Sequence, residues 1–477
     1  MIKKNSDRRR FLTGPLLIIF IFSLFLFAVS VVSVSAAGSG GSGQASASAS
    51  GADSSLPAAA VSPAPFLDLM QAYKLALRHD PGFKAALYGK KASEDLGWEG
   101  LAFLLPRLNF SANLSRYDFV NPPPYYLSYD ARMEQIDLTQ PVISIKRLFE
   151  YHQYKTRASI GGAKFKSQKE RLVMKVAEAY LDVLASQDYL KALKSQKRAV
   201  RRELKQAKKL YAAGAGTVTD VYDARAKYYS VLSHIVGAKS GLETNYMKFK
   251  GIVGASGRNL APLRRRIPLS PPRPLSAGYW IKVAANRNPD LEYYRYEEDY
   301  YKEDARKSIS SHFPSLDFTA GYSATNTQQY IQTPPLRYYN IGFQLNIPIF
   351  NGGYNYAKTS ESENLARQAA QVYRKELYKN SREIKQSILD IKGSIIKIKM
   401  LELSLKSARI SLKGNELGFQ SGVKTSTDVL NAVEALYGAR VKLLKAKYEY
   451  IISLLNLRLN AGVLSEYDLR GINKWLK

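Results

Sequence analysis

The sequence contains no cysteine and only four histidines among 477 residues. Without cysteine the chain cannot form disulfides, thiolate metal sites, a cysteine nucleophile or a lipid-modified N-terminal cysteine. The histidines have neither the spacing of metal ligands nor that of a catalytic triad, and they stand at His79, His152, His234 and His312. We therefore expect no enzyme, no metal site and no cofactor.

Acidic residues are scarce beside basic ones. The chain has 40 aspartates and glutamates against 70 lysines and arginines, so its net charge is +30. Nucleic-acid binding is one interpretation of such an excess. We favour a large, solvated, lysine-rich helical surface, because the basic residues are spread along long helical stretches without a nucleic-acid-binding motif. We predict no nucleic-acid partner.

The N-terminus has the features of an export signal. Five basic residues precede the apolar stretch 15–34, and Val34-Ser35-Ala36 supplies the small residues of a cleavage site. We expect a signal peptide at 1–36 and a disordered linker rich in Gly, Ser, Ala and Pro at 37–65. The apolar stretch is also long enough to remain as an uncleaved anchor. In either case the bulk of the chain leaves the cytoplasm.

The remainder of the chain is an internal duplication. Landmarks recur in one order at an offset of 208 residues: Pro81 and Pro289, Gly214 and Gly422, Asp220 and Asp428, and Gly254 and Gly462. We assign a first repeat at 66–254, a connector at 255–275, a second repeat at 276–462 and a C-terminal tail at 463–477. Each repeat is expected to contain a helix (67–104; 277–310), two strands, a long helix (143–212; 354–420), a glycine turn and a further helix.

Three of the four expected strands alternate cleanly between apolar and polar residues. The apolar sets are Leu108, Phe110, Ala112 and Leu114; Leu316, Phe318, Ala320 and Tyr322; and Ile341, Phe343, Leu345 and Ile347. The strand near Ile136 is weaker, and the second strands are expected to end before Pro141 and Pro348. This period is typical of a transmembrane strand, and equally of a half-buried strand in a soluble sandwich. The long polar loops with tyrosine-rich flanks favour the membrane.

Four strands are too few to close a membrane barrel, because the smallest barrels have about eight. An open sheet edge cannot lie in lipid, where its N–H and C=O groups would remain unsatisfied. Several chains must therefore pool their strands. Three chains would supply twelve, although the count does not exclude dimers. A helix of about 65 residues would extend about 100 Å, which suits an arm that crosses the periplasm.

Three segments resemble the outer-membrane efflux proteins of the TolC type: 346–353, where a strand turns into a helix, and the two helix-turn-helix tips at 214–221 and 422–432. The resemblance implies a mixed α+β, mainly α fold, a homotrimer with a twelve-stranded transmembrane β-barrel continuous with a periplasmic α-helical coiled-coil tunnel. It also implies a passive duct in the outer membrane that works with a periplasmic adaptor and an inner-membrane pump of the resistance-nodulation-division, ABC or similar class. Drug efflux and type I protein secretion both remain open.

The tips carry local signals of their own. Gly214 and Gly422 suit the left-handed position that ends a helix. Thr217 with Asp220, and Thr425 with Asp428, match capping boxes that begin the next helix. Ala215 and Val423, after the tip glycines, are candidates for adaptor contact or simply turn residues.

The resemblance also implies roles at the periplasmic entrance. Asp428 matches the first entrance aspartate of the family, which would form a ring of three carboxylates, while Asn431 stands where the family has a second acid. We therefore expect weaker cation block than in a channel with both acids. Lys424 matches a basic residue of the entrance network, and Tyr228 matches a gate tyrosine. A different class of function is also open: an inner-membrane-anchored periplasmic coiled-coil scaffold.

Overall fold

The computed structural model describes residues 66–121, 128–254, 259–327 and 335–476. The expected signal peptide (1–36) and linker (37–65) lie outside these residues, as does most of each expected inter-strand loop. The elements are α1 (Leu69–His79), α2 (Pro81–Ala102), β1 (Arg107–Tyr117), β2 (Tyr129–Ser144), α3 (Ile145–Ala212), α4 (Val218–Val253), α5 (Ala277–Arg287), α6 (Pro289–Ser310), β3 (Ser315–Thr327), β4 (Leu336–Asn346), α7 (Tyr354–Gln420), α8 (Ser426–Asn460) and α9 (Glu466–Asn473). None of the described helices combines the length and the apolar character that a membrane span requires.

The four described strands form one antiparallel sheet in the order β1-β2-β3-β4. Directly paired residues share a face, so the register separates an apolar face from a polar one. Phe110 pairs with Ile136, which pairs with Tyr322, which pairs with Tyr339. The neighbouring row, on the other face, is Asn109, Asp137, Gly321 and Asn340.

The strand with the weakest apolar–polar alternation in the sequence is β2, yet it is the longest described strand and lies inside the sheet. β2 has 16 residues and pairs with β1 on one side and β3 on the other. The expected end before Pro141 is wrong, because β2 continues to Ser144 with a register shift between Pro141 and Ile143. A proline lacks the N–H of a ladder bond, and a bulge beyond the pairing with β1 accommodates it.

The first helix of each repeat is in fact two helices. The single helices expected at 67–104 and 277–310 are wrong, because Asp80 and Asn288 interrupt them before a proline. Proline disfavours helical backbone in the preceding residue and fits well at the first position of a new helix. Each interrupting residue caps that helix: Asp80 Oδ1 accepts a hydrogen bond of 2.8 Å from Phe83 N, and Asn288 Oδ1 accepts one of 2.8 Å from Asp290 N.

The long helices α3 and α7 have 68 and 67 residues and pack with α4 and α8 as two antiparallel hairpins. A core around the middle of α3 includes Tyr180, whose hydroxyl donates to the carbonyl oxygens of Leu67 at 3.0 Å and Ala261 at 3.1 Å. A second core, nearer the hairpin tips, joins Val200 of α3 to Ala224 of α4 and Val433 of α8.

The C-terminal segment is packed against the start of the described chain. The expected tail at 463–477 contains α9, whose first turn forms a capping box between Ser465 and Asp468. Asn473 Oδ1 accepts a hydrogen bond of 3.2 Å from Leu69 N, and Leu476 forms a bridge with Leu263 of the connector.

Candidate functional site

Two helix-turn-helix tips stand at the ends of the hairpins. Gly214 and Gly422 adopt left-handed backbone with φ of 73° and 77°. Ala215 N donates to Leu210 O at 2.9 Å, and Val423 N donates to Gly418 O at 2.8 Å. These bonds satisfy carbonyls that the helix end leaves free, in a geometry that glycine adopts at low cost. Ala215 and Val423 are exposed, so both tips present side chains for contact.

Reciprocal hydrogen bonds begin the second helix of each hairpin. Thr217 Oγ1 accepts from Asp220 N at 3.2 Å, while Asp220 Oδ2 accepts from Thr217 N at 3.2 Å. Thr425 Oγ1 accepts from Asp428 N at 3.2 Å, and Asp428 Oδ2 accepts from Thr425 N at 3.0 Å. The two threonines and two aspartates therefore fix the direction in which α4 and α8 leave the tips.

The carboxylate of Asp428 is held in its charged form. Hydrogen bonds from the Thr425 backbone and hydroxyl lower its pKa, and the nearby charge of Lys424 adds to the effect. In the described part of the chain Lys424 forms no ion pair within 4.0 Å, and its stem lies over Gly418, where a Cβ atom would come within 2.7 Å of Lys424 Cγ. Asn431, one turn after Asp428, is exposed.

Tyr228 lies apart from this group. Its ring is half-buried on α4, 6.0 Å from Lys197 Nζ and 5.8 Å from the ring of Tyr229. Among the described residues no hydrogen bond joins Tyr228 or Asn431 to Asp428. The structure thus brings Lys424, Thr425 and Asp428 together at one tip, and the equivalent Thr217 and Asp220 at the other.

Two contacts between the hairpins were not predicted from the sequence. Thr427 Oγ1 donates to Asp223 Oδ2 at 3.2 Å, and Lys227 Nζ lies 2.5 Å from Glu434 Oε2. Both contacts join α4 to α8 within the first three turns of these helices. The sequence places Asp223 and Lys227 one and two turns after Asp220 on one face of α4, but it does not indicate which residues of α8 they contact.

Residues 72–255 and 280–463 match the family model described as outer membrane efflux protein. The chain belongs to this family. It is 29% identical to the alkaline protease secretion protein AprF of Pseudomonas aeruginosa over 84% of this chain and 86% of AprF. It is 28% identical to the outer membrane protein TolC of Vibrio cholerae over 86% of this chain and 94% of TolC. Its fold is similar to the crystal structure of VceC from Vibrio cholerae, with a TM-score of 0.72 at 17% identity, over 83% of this chain and 96% of VceC.

The expected family is therefore confirmed. Membership assigns this efflux protein to the outer membrane and to a class of passive channels, not enzymes. The alternative of an inner-membrane-anchored periplasmic scaffold is not favoured.

Proposed function

We propose that the chain forms a homotrimer whose three four-stranded sheets close a twelve-stranded transmembrane barrel, continuous with a tunnel built from the helical hairpins. The trimer is the exit duct of a tripartite efflux or type I secretion system, in which an adaptor links it to the inner-membrane pump that drives export. The observation that carries the proposal is the open sheet: within the described residues its two edge strands, β1 and β4, each pair with a neighbour on one side only.

The sheet has the surface of a barrel segment. On its apolar face Leu108 and Phe110 of β1 are 63% and 68% exposed, and Ile341 and Phe343 of β4 are 76% and 70% exposed. In lipid these side chains are well solvated, whereas the free backbone groups of β1 and β4 are not. Pairing β4 of one protomer with β1 of the next removes both edges at once.

The helices carry complementary apolar seams. On α7 the five residues Leu389, Ile396, Leu403, Ile410 and Leu417 repeat every seven positions and are between 56% and 64% exposed. On α4, Tyr222, Tyr229 and Val236 repeat at the same interval and are between 59% and 66% exposed. Heptad spacing is that of a coiled-coil interface. We call these sets the α7 seam and the α4 seam.

The duplication indicates how the seams meet. Within the protomer α8 packs on α3, which is the last helix of the second repeat against the long helix of the first. Exchanging the two repeats gives α4 against α7, a pair that makes no extensive contact within the described protomer, and we propose that it forms between neighbouring protomers. Tyr222 corresponds by the 208-residue offset to Leu430, which is 2% exposed in the core of the α8 contact. The two seams also match along the hairpins. The distance from the tip is nearly the same for Tyr222 and Leu417, for Tyr229 and Ile410, and for Val236 and Leu403.

At the periplasmic entrance we propose that three copies of Asp428 form a ring of negative charge that attracts and retains cations. The pairs Asp223–Thr427 and Lys227–Glu434 hold the two hairpins of each protomer together. Lys424 stands beside this ring, and Tyr228, farther along α4, is the proposed gate tyrosine. Ala215 and Val423, next to Gly214 and Gly422, are the proposed contacts for the adaptor.

We further propose the domain organisation expected above: signal peptide 1–36, linker 37–65, repeats 66–254 and 276–462, connector 255–275 and C-terminal segment 463–477. Secretion of a protein is a specific candidate activity, because AprF and the proteases secretion protein PrtF of Dickeya chrysanthemi are both secretion proteins by name. The same duct would serve a pump that exports small molecules.

The test is purification from outer membranes in mild detergent, followed by native mass spectrometry and planar-bilayer recording. We expect a mass of three mature protomers and a discrete single-channel conductance. A monomer, or a trimer without conductance, contradicts the proposal.

A further inference from the structure

The C-terminal third of α3, which leads to the hairpin tip, is rich in basic residues. Nine basic residues and one acid, Glu203, stand between positions 191 and 209. Six of them recur at alternating intervals of three and four, which places them on one helix face over about 25 Å. We call this set the basic stripe: Lys191, Lys194, Arg198, Arg201, Lys205 and Lys208.

The basic stripe lies on the side of α3 away from its packing. All six side chains are exposed, whereas Leu193, Val200 and Ala207, on the opposite side of the helix, are buried in the core shared with α4 and α8. The charges are therefore free of the contacts that hold the hairpin together.

Nothing in the described part of the chain neutralises the basic stripe. None of the ion pairs within 4.0 Å among the described residues involves a stripe residue; those that join two hairpin helices include Lys227–Glu434, Lys397–Glu449 and Lys447–Glu402. Arg198 Nη2 instead donates to Ser195 Oγ at 2.9 Å. Like charges one turn apart destabilise a helix, so the stripe persists at a cost that an oppositely charged partner would offset.

The second hairpin shows that the fold does not require this charge. At the 208-residue offset four of the six stripe positions are also basic in α7, but Lys194 and Lys208 correspond to Glu402 and Glu416, and Glu402 lies 3.3 Å from Lys447. The equivalent long helix of the second hairpin, α7, therefore carries both acidic and basic residues on this face, and one of its acids forms an ion pair. A row of six basic residues without an interrupting acid therefore occurs in the first repeat, whereas two glutamates interrupt its counterpart in the second.

We propose that the basic stripe is a docking surface for an acidic helix of the periplasmic adaptor, an inference that rests on the proposed function. Carboxylates spaced three and four residues apart on a partner helix would lie opposite the stripe, as charged flanking positions do in coiled coils. A flexible anionic polymer such as peptidoglycan needs no such spacing and would be served equally by scattered charges. The helical spacing is what favours a helix.

The experiment uses the full-length channel in detergent and two fluorescent synthetic peptides of identical composition. One peptide carries its glutamates on a single helix face at intervals of three and four, and the other carries them around the helix. Binding is measured by fluorescence anisotropy over a salt series. The test variant is Arg201→Glu/Lys205→Glu, and the matched control is Arg409→Glu/Lys413→Glu, which makes the same charge change at the equivalent exposed positions of α7.

We expect the one-faced peptide to bind at least about tenfold more tightly than its isomer at low salt, with the difference shrinking as salt is added. The α3 variant should lose about tenfold or more in affinity, and the α7 control less than about twofold. Equal losses in both variants, or equal binding of both peptides, overturn the inference. So does binding to isolated peptidoglycan sacculi that the α3 variant abolishes while peptide binding is retained.

Single-channel recording of the same samples separates the two proposals. A change of ion selectivity in the α3 variant would place the stripe in the lumen and overturn its role in docking. Normal wild-type conductance without discrimination between the peptides overturns the docking inference alone. Absence of wild-type conductance overturns the proposed function.

Discussion

Truncating the α7 seam should weaken the trimer without disturbing the protomer. Leu403 and Ile410 are 59% and 64% exposed in the single chain, so most of their apolar surface remains to be covered on assembly. Full burial of such a side chain is worth about 1.5–3 kcal/mol, and the uncovered share is therefore worth roughly 1–2 kcal/mol. Leu403→Ala/Ile410→Ala should cost roughly 2–4 kcal/mol at each interface, or a factor of about 30 to 700 in its association constant.

The measurement is the fraction of trimer against protein concentration, by native mass spectrometry in detergent, together with the thermal transition of the protomer. The control variant is Arg409→Ala/Glu416→Ala, which shortens two exposed side chains of α7 that lie off the seam. We expect the seam variant to dissociate at concentrations at which the control remains trimeric. Unchanged trimer stability in the seam variant would show that α7 does not form the interface. Loss of the protomer's own helical signal would show that the seam is needed for folding.

Three further predictions concern the entrance, the helix ends and the middle of α3. Asn431→Asp adds a second carboxylate one turn after Asp428 and should strengthen block by a multivalent cation in single-channel recordings, whereas Asp428→Asn should weaken it. At Gly422 an added Cβ meets nothing within 4 Å, so Gly422→Ala should cost about 1–2 kcal/mol of left-handed strain. At Gly462 a Cβ would lie 2.2 Å from Asn288 Cα, so Gly462→Ala should lower the thermal midpoint much further. Burial, together with the charge of Asp290, raises the pKa of Glu170 from 4.5 to about 8. Between these pH values the folded state therefore holds a proton that the unfolded chain releases, so the free energy of unfolding falls as pH rises. Glu170→Gln should reduce this pH dependence of the thermal midpoint.

Local chemistry made much of the backbone predictable. The span 354–420 agrees with α7, because Gly353 and Gly422 border an uninterrupted amphipathic run. The capping partners at both tips could be named because a threonine three residues before an aspartate, ahead of an amphipathic run, is a local signal of a helix start. Such signals depend only on neighbours in sequence, and they hold wherever the tertiary structure leaves them room.

Features set by distant neighbours were predicted poorly. β2 contains Glu134, which falls on the apolar face with Ile136, and Pro141; both interrupt its alternation, and its place inside the sheet follows from pairing with β1 and β3. The helix breaks at Asp80 and Asn288 could have been predicted from the prolines that follow them. The contact between Lys227 and Glu434 could not, because residues 207 positions apart meet only through the packing of α4 on α8.

The two hairpins share a backbone and differ in surface, and this difference has a consequence for assembly. Leu403, Ile410 and Leu417 of the α7 seam correspond by the 208-residue offset to Ser195, Arg202 and Lys209 of α3. If both long helices carried an apolar seam, a protomer could pair either hairpin with either hairpin of its neighbour, including like with like, and the ring would close in several ways. In the proposed trimer the α3 helices carry positive charge and α7 is the long helix with a seam, so two first repeats would repel each other and the apolar match of α7 would be α4 of the next protomer. Divergence of the repeats after duplication would thus enforce head-to-tail closure and leave the charged face of α3 for a partner that is not another copy of the chain.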